Sequence, residues 1–308
     1  MEVTLSATRC AICGEHAPST ELYPANLSPA DFNTDVFSQR RPPDRIHYRM
    51  VRCSQCGLVR SDPAADASAL ALLYKESRSF AGEESNLRRT YGRYLHRLRP
   101  YGARGGKLLE IGSGTGFFLL QAQQDGYDVV GVEPSQEATA RAEPAVAGRI
   151  VNDVMRAGLF EPDTFDVVCL FQVFDHVSDP KLLLAECQRA LRPDGLILAL
   201  NHDVDALTNR VMRDRSPIVD VEHTYLYSRT TMRAIFERSG FDVVETGNVW
   251  NDYSLNYLAR LAPLPKTLKT PLLPILGATI GRLRLRVPLG NLYLIGRRPP
   301  LSTGECVT

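Results

Sequence analysis

The sequence lacks the features that mark membrane, secreted and repetitive proteins. None of its apolar runs reaches the ~20 residues of a transmembrane helix. Its first ten residues, MEVTLSATRC, do not combine the charged start and apolar core of a secretory signal. No internal repeat interrupts the 308 residues, a length that indicates about two domains. Seven cysteines, an odd number, are typical of reduced thiols and metal ligands. We therefore expect a cytoplasmic protein.

Acidic residues are missing from a long stretch near the end of the chain. The sequence between Asp252 and Glu305 contains eight basic residues and no acidic one, although the net charge of the whole chain is only +1. Such a segment could meet phosphates or an anionic membrane surface, or could be a solvated basic edge. Within it, residues 263–290 are apolar and basic together and look like an insertion. We expect either a lid packed on the domain or a peripheral contact at the inner membrane face.

From residue 105 onwards, apolar strands alternate with helical segments. Strands are predicted over 107–111, 127–132, 150–151, 165–170, 196–200, 241–249 and 292–297. Helices are predicted over 115–125, 180–191 and 230–239, with a further helix after Ser135 as its N-cap. This alternation predicts an open parallel sheet with helices on both faces, a Rossmann-like α/β domain.

Two regions precede the α/β domain and a tail follows it. Residues 1–65 are rich in cysteine and proline and are predicted to form a separate metal-binding module. Residues 66–104 have helical periodicity and are predicted to be a connector or cap. The α/β domain then extends over 105–298, with the insertion at 263–290, and residues 299–308 form a tail.

A glycine-rich turn follows the first strand of the α/β domain. The run LLEIGSGTGFF, residues 108–118, contains Gly112, Gly114 and Gly116 between a strand and a helix. A tight turn there lets the backbone approach a ligand that lies across the strand ends. The dinucleotide fingerprint needs its third glycine three residues after the second, whereas here the interval is two, so the pattern departs from an NAD site.

Four motifs in order resemble the class I S-adenosylmethionine (SAM)-dependent methyltransferase family. They are EIGSGTG, then GVEPS at the next strand end, then FDVVCLFQVFDHVSDPKLLLAECQRALRPDGLILAL, and finally GF before the strand over 241–249. The resemblance covers about residues 105–262 and 291–298. It implies the Rossmann-like fold, methyl transfer and SAM as the cofactor.

The resemblance also implies which residues hold the cofactor. Glu110, Gly112, Gly114 and Gly116 match the motif that holds the amino-acid part of SAM. Glu133, 23 residues after Glu110, matches the acidic residue that binds both ribose hydroxyls. A carboxylate suits a vicinal diol because its two oxygens can accept from two donors.

Three further positions match the adenine and sulfonium ends of the family's site. Asp153 matches the carboxylate that meets the adenine amino group. Phe171 and Gln172 match the strand end that passes close to the sulfonium. Asp175 and His176 could also hold a divalent metal, as in some quinone-pathway relatives, but Gln172 occupies the position of the first acidic partner there.

The N-terminal region carries two C-x-x-C-G knuckles. Cys10 and Cys13 form one, and Cys53 and Cys56 form the other. Four thiolates supply a closed tetrahedral site for structural Zn²⁺, and the glycine after each knuckle permits the tight turn. Because 39 residues separate the knuckles, we expect an inserted loop over about 14–47 to leave the module. Four ordinary thiols are the alternative.

A four-cysteine module before a class I core resembles bacterial sugar methyltransferases, including deoxysugar C-methyltransferases. FDHV at 174–177 and EH at 222–223, followed by TYLYS, match their motifs. Those C-methyltransferases carry a further C-terminal domain of about another hundred residues or more, which we do not expect in a chain of 308 residues. The resemblance therefore implies methylation of a hydroxyl on a nucleotide- or lipid-linked sugar in glycan or natural-product assembly, and makes C-methylation of a keto-sugar the alternative.

Histidines near the strand ends are the candidates for the base that deprotonates the acceptor hydroxyl. His223 is the first candidate, because it lies between the fifth strand and the following helix, and Glu222 or Asp220 could orient it. His176 is the second candidate. Each histidine could instead be a capping or packing residue.

Two other functions stay open at this point. One is O-methylation of a polyketide or quinone-like small molecule. The other is an inactive protein that binds through its zinc ribbon. Nucleic acid is not an expected partner, because the first 65 residues hold seven basic and seven acidic side chains rather than a basic stripe.

Overall fold

A computed structural model describes residues 4–14, 17–28, 31–33, 36, 45–76, 83–261, 271, 273–274, 280–281 and 283–300. In chain order the strands are β1 (Leu5–Ser6), β2 (Ser19–Tyr23), β3 (Met50–Cys53), β4 (Val59–Ser61), β5 (Ala64–Ala65), β6 (Gly106–Ile111), β7 (Tyr127–Val132), β8 (Ile150–Val151), β9 (Phe165–Phe171), β10 (Leu191–His202), β11 (Tyr225–Leu226), β12 (Asp242–Asn248), β13 (Asn251–Ser254), β14 (Arg284–Val287) and β15 (Asn291–Arg297). The helices are α1 (Ala67–Lys75), α2 (Glu84–His96), α3 (Phe117–Gln124), α4 (Gln136–Ala140), α5 (Pro180–Ala190), α6 (Leu207–Met212), α7 (Arg229–Arg238) and α8 (Leu255–Leu261).

A seven-stranded sheet forms the centre of the fold, in the order β12-β15-β10-β9-β6-β7-β8. The strand-helix alternation predicted from residue 105 is present, and each predicted strand of the domain lies in this sheet. The predicted parallel sheet is wrong in one respect. β15 runs antiparallel to both β10 and β12, so the sheet is mixed. The apolar pattern of β15 does not reveal its direction. A buried strand has the same pattern whether it runs parallel or antiparallel to its neighbours.

Helix starts follow local capping chemistry. Ser135 accepts a hydrogen bond from the backbone N–H of Ala138 and so begins α4. Asp179 does the same for Leu182 N–H, and Pro180 occupies the first turn of α5, where a missing N–H costs nothing. The helices cover two buried clusters, one on each face of the central sheet. Because β6, β9, β10 and β12 run in the same direction, their carboxyl ends meet at a single edge of the sheet.

The N-terminal region does not form a self-contained sheet. A four-stranded sheet has the order β11-β4-β3-β2, and β11 comes from the segment after residue 220. β2 also corrects the expected loop over 14–47, because residues 19–23 of that stretch pair with β3. Residues 15–16, 29–30, 34–35 and 37–44 of the predicted loop lie outside the described residues.

The predicted insertion at 263–290 is described only in part. β14, near its end, pairs antiparallel with β13, a strand pair that the sequence did not predict. Residues 262–270, 272, 275–279 and 282 lie outside the described residues, as do 301–308 of the predicted tail. Within the described ranges, the helices are too short and too polar for any of them to cross a lipid bilayer.

Candidate active site and cysteine cluster

The glycine turn between β6 and α3 is compact and folds back on β7. Gly112, Gly114 and Gly116 all adopt left-handed backbone conformations, with φ of 75°, 54° and 75°. A Cβ on Gly112 would lie 2.2 Å from Cγ2 of Val173, so that position admits only glycine. The turn lies at the carboxyl end of β6, where the sequence predicted the cofactor.

The carboxylate of Glu133, at the end of β7, is tied to this turn. Its Oε2 accepts from Gly114 N–H and its Oε1 from Ser135 N–H, each at 2.8 Å. Glu133 is buried, and so is Glu110 at the end of β6. The carboxylate expected to bind the ribose hydroxyls thus lies beside the glycines expected to hold the amino-acid part.

Two further predicted cofactor positions, Asp153 and Phe171, differ in their surroundings. Asp153 follows β8 at the same edge, and its carboxylate accepts from Val154 N–H at 2.8 Å and from Arg156 at 3.0 Å. The side chain of Phe171 is buried against Tyr91, with ring centroids 4.2 Å apart and nearly parallel. Phe171 therefore packs helix α2 onto the sheet, and only its backbone lies at the strand end.

Several buried polar atoms at this edge have no hydrogen-bond partner within the described chain. They are Ser113 Oγ after β6, Gln172 Oε1 after β9, and both side-chain polar atoms of Asn201 in β10. Gln172 also has a φ of 57°, which is uncommon for a residue with a side chain. Buried polar groups without partners are costly, so those at these three neighbouring strand ends are candidates to bond a ligand.

Beyond the glycine turn, the same edge carries a buried carboxylate surrounded by histidines. Asp175 is fully buried, and its Oδ2 lies 2.5 Å from His202 Nδ1 and 3.8 Å from His223 Nε2. Its Oδ1 lies 3.6 Å from His176 Nε2. The ligating atoms of Asp175, His176 and His223 fall within 4.8 Å of one another, a spacing that also suits a cation. We call these four residues the Asp175 cluster.

Hydrogen bonds fix the orientation of the two histidines predicted from the sequence. His223 Nδ1 lies 2.8 Å from the carbonyl oxygen of Ile218, which can only accept, so Nδ1 carries the proton. His176 Nδ1 lies 3.0 Å from the hydroxyl of Tyr74 in α1. That hydroxyl also donates to the carbonyl of Glu222 at 3.3 Å, which places the predicted Glu222-His223 pair beside α1.

Burial and charge shift the pKa values in this cluster in consistent directions. Burial lowers the pKa of His176 and of His223, against the opposing effect of Asp175. The three histidines lower the pKa of Asp175 well below its usual range, although its burial acts in the other direction. Near neutral pH the imidazoles of His176 and His223 are therefore neutral beside the ionised carboxylate of Asp175.

His202 is the member that sequence reasoning missed. It is the last residue of β10, two residues beyond the predicted end of that strand at residue 200. Its Nδ1 faces Asp175, whereas its Nε2 has no hydrogen-bond partner among the described residues, and about a quarter of the side chain is exposed. The available signal was a histidine two residues after the end of a predicted parallel strand, because strand ends converge on the site.

The four N-terminal cysteines lie together. Their sulfur atoms fall within 4.8 Å of one another, with 3.5 Å between those of Cys10 and Cys56. A tetrahedral Zn²⁺ site with bonds of about 2.3 Å requires sulfur separations of about 3.8 Å, so the arrangement fits the ion. The glycine after each knuckle has a left-handed backbone, with φ of 93° at Gly14 and 80° at Gly57. The described cysteines form no disulfide.

The cysteine module contacts the loop that carries His223. Ser61, at the end of β4, donates from its hydroxyl to the carbonyl of His223 at 2.8 Å and from its N–H to the carbonyl of Thr224 at 2.9 Å. The N–H of Thr224 in turn donates to the carbonyl of Asp175 at 2.9 Å. The knuckles themselves pack on α7, where Arg238 donates to the carbonyl of Ile12 at 2.7 Å.

The fold and this edge of the sheet define a protein of the Rossmann-like methyltransferase class. A sequence model described as a methyltransferase domain matches residues 84–246, more than half of the chain. The chain belongs to the methyltransferase-domain family, and the matched region is a class I SAM-dependent methyltransferase domain.

Similar proteins with assigned names are ubiquinone biosynthesis O-methyltransferases. That of Idiomarina loihiensis is 29% identical over 128 residues, which cover 36% of this chain and 53% of the relative. That of Rhizobium etli is 31% identical over 128 residues, covering 40% of this chain and 48% of the relative. The chain thus spans about half the length of these relatives. Among solved structures, phosphoethanolamine N-methyltransferase 2 of Haemonchus contortus, bound to SAM, is 21% identical, covers 68% of this chain and 53% of its own, and has a TM-score of 0.45.

Proposed function

We propose that this protein transfers the methyl group of SAM to a hydroxyl oxygen of a small or carrier-linked acceptor. The observation that carries the proposal is the Asp175 cluster at the carboxyl edge, beside the glycine turn. SAM supplies an activated methyl group, so the protein has to bind it, align the acceptor and remove the hydroxyl proton. Glu110, the three turn glycines, Glu133 and Asp153 are the residues we propose to hold SAM.

His202 is the side chain best arranged to remove the proton. Asp175 faces Nδ1 of His202 and orients the ring, which leaves Nε2 with its lone pair toward the partly exposed side of the site. This is the arrangement of a carboxylate-oriented histidine base, in which the carboxylate also stabilises the imidazolium that forms. His223, the first candidate from the sequence, has its Nε2 directed at Asp175 and is more deeply buried. We propose that His223 and His176 position Asp175, and that Glu222 positions Tyr74.

A polar side chain beside the proposed base supports a hydroxyl-rich acceptor. Asn201 immediately precedes His202 in β10, and both of its side-chain polar atoms have no hydrogen-bond partner among the described residues. A sugar presents several hydroxyl groups that can bond to such atoms. A base must remove the proton of each hydroxyl that is methylated. We therefore keep a nucleotide- or lipid-linked sugar as the first acceptor class.

The names of the relatives favour a second acceptor class. The ubiquinone biosynthesis O-methyltransferases act, by their name, in quinone assembly. A phenolic hydroxyl is more acidic than a sugar hydroxyl and makes a smaller demand on the base. O-methylation of a quinone-like phenol is therefore the second candidate function.

We also propose that the cysteine cluster holds a structural Zn²⁺ ion. Four sulfur ligands leave no open position, so the ion would stabilise the module and take no part in methyl transfer. Its contribution to the reaction would be indirect, through β4 and the hydrogen bonds of Ser61 to the His223 loop.

The experiment is methyl transfer from radiolabelled SAM to a panel of acceptors. The panel contains UDP-, GDP- and dTDP-sugars and, separately, a catechol. Incorporation into an acceptor oxygen supports the proposal, and the acceptor that is labelled separates the two classes. We expect His202→Asn to lower turnover by ~10²-fold or more with unchanged affinity for S-adenosylhomocysteine. An unchanged rate in that variant would reject His202 as the base.

A further inference from the structure

Exposed apolar side chains concentrate on helix α6 and on the chain around β14. Leu207 and Val211 lie one turn apart on α6 and are 77% and 73% exposed. Further exposed apolar residues on the second segment are Ile280, Leu283, Leu285 and Leu289. Isolated exposed leucines need no explanation, but a group on two adjacent segments indicates an interaction surface.

The two segments are joined at Gly290. The N–H of Asp203, just before α6, donates to the carbonyl of Gly290 at 2.8 Å. A Cβ on Gly290 would lie 2.9 Å from Nδ2 of Asn209 and 3.2 Å from Oγ1 of Thr208, so α6 and the chain after β14 are in close contact. We call the combined surface of α6, residues 213–215, residues 280–281 and residues 283–289 the α6–β14 face.

The α6–β14 face is basic as well as apolar. Five exposed arginines belong to it, namely Arg210, Arg213, Arg215, Arg284 and Arg286. Arg286 pairs with Asp252, and no salt bridge within the described residues engages the other four. Asp214 is the acidic residue among them, and the sequence from residue 253 to 304 contains no acid at all. The surface therefore presents unpaired positive charge around protruding aliphatic side chains.

The face lies next to the proposed acceptor site. His202 ends β10, and α6 begins five residues later. Asp203, which is bonded to Gly290, is the immediate neighbour of His202 in the chain. The chain and this hydrogen bond thus connect the face directly to the residue that follows the proposed base.

We propose that the α6–β14 face docks on an anionic membrane surface. Aliphatic side chains gain by entering the acyl boundary, and arginines gain by contacting anionic headgroups. An RNA surface would satisfy the arginines but would leave the leucines and valine in water, because nucleic-acid interfaces are polar and highly charged. The combination on this face thus fits a lipid surface better than RNA.

Membrane docking is independent of the proposed methyl transfer, because binding to a membrane requires no turnover. If both hold, the acceptor would reach His202 from the membrane side, which suits a lipid-linked molecule. Failure of vesicle binding would remove the docking surface and leave the methyltransferase proposal intact. Failure of methyl transfer with intact vesicle binding would do the reverse.

The test is co-sedimentation of the full chain with vesicles at low salt. We expect binding to phosphatidylcholine vesicles containing phosphatidylglycerol, and little binding to phosphatidylcholine alone. Raising the salt to ~0.5 M should weaken binding at least ~5-fold, because screening reduces the arginine contribution. Absence of binding to the anionic vesicles at low salt would overturn the proposal.

Paired variants locate the surface. Leu207→Asp with Val211→Asp should weaken vesicle binding at least ~10-fold, and Arg215→Gln with Arg284→Gln should weaken it about 5-fold. Leu182→Asp is the matched control, because Leu182 is 54% exposed on α5, outside the face. Equal binding by the Leu207/Val211 variant and the wild type would overturn the proposal, as would tight binding of poly(U) RNA that competes with the vesicles.

Discussion

The proposed cofactor side and the proposed acceptor side of the site are built in different ways. The cofactor side uses neighbours in sequence, because Glu110 and the turn glycines belong to one strand-turn unit, and Glu133 comes from the next strand. The acceptor side collects Tyr74 from α1, Asp175 from the loop after β9, and His202 and His223 from β10 and from the segment before β11. Backbone makes most of the first, and buried side-chain charge makes the second.

The two sides should respond differently to substitution. A backbone-built binding turn fails mainly when a side chain is forced into it, whereas the Asp175 cluster fails when any one of its supporting segments moves. The cysteine module is one of those supports, since Ser61 holds the carbonyl of His223. We therefore expect substitutions on the two sides to separate binding from turnover.

The largest effect should come from Asp175→Asn. The substitution keeps the shape but removes the charge that orients His202 and stabilises its protonated form. We expect turnover to fall by ~10²–10⁴-fold, with affinity for S-adenosylhomocysteine unchanged by calorimetry. Asp128→Asn, at an exposed surface ion pair, is the control. Loss of S-adenosylhomocysteine binding in Asp175→Asn would show that the two sides are not separable.

Gly112→Ala should break the cofactor side. The φ of 75° and the clash with Val173 together should lower the free energy of unfolding by about 2–5 kcal/mol and abolish S-adenosylhomocysteine binding. Gly148→Ala is the matched control, because a Cβ there meets nothing within 4 Å and its φ is not positive. Chemical denaturation and calorimetry give the two readouts. Normal binding by Gly112→Ala would contradict the assignment of the turn.

Cys53→Ser tests the support that the module gives to the acceptor side. We expect the bound zinc, measured by elemental analysis, to fall from about one ion per chain to near zero. Turnover should fall ~10- to 100-fold, because the His223 loop loses its positioning, while cofactor affinity stays within error. Cys187→Ala, in the core of α5, should keep the metal. A metal-free wild type with full activity would refute the coupling.

The smallest effect is the pH dependence of stability. The pKa values of His176 and His223 are lowered by burial, so the unfolded chain binds more protons below pH ~6.5 and stability falls as the pH drops. Each histidine should contribute a slope of up to about 1.4 kcal/mol per pH unit between pH 6 and 5. Because the pKa of Asp175 is lowered in the folded chain, this residue adds a further loss of stability only below pH ~4, where the unfolded chain begins to protonate it. Urea unfolding of His176→Asn should give a shallower slope, and an identical slope would exclude its burial as neutral imidazole.

The sequence supplied more candidates for the proposed cofactor side than for the proposed acceptor side. Glycines after a strand, an acid at the next strand end and a serine cap are local signals that one segment carries by itself. His202 and Tyr74 were not predicted, because their partnership with Asp175 depends on which distant segments the sheet brings together. The antiparallel direction of β15 and the pairing of β13 with β14 were missed for the same reason, since pairing partners are tertiary information.

The most direct test of the account is calorimetric titration of S-adenosylhomocysteine into the wild type, Glu133→Ala and His202→Asn. We predict tight binding by the wild type, at least ~100-fold weaker binding by Glu133→Ala because a buried carboxylate that serves the ribose is lost, and unchanged binding by His202→Asn. No binding by the wild type would contradict the methyltransferase assignment of this site. Equal loss in both variants would contradict the division into a cofactor side and an acceptor side.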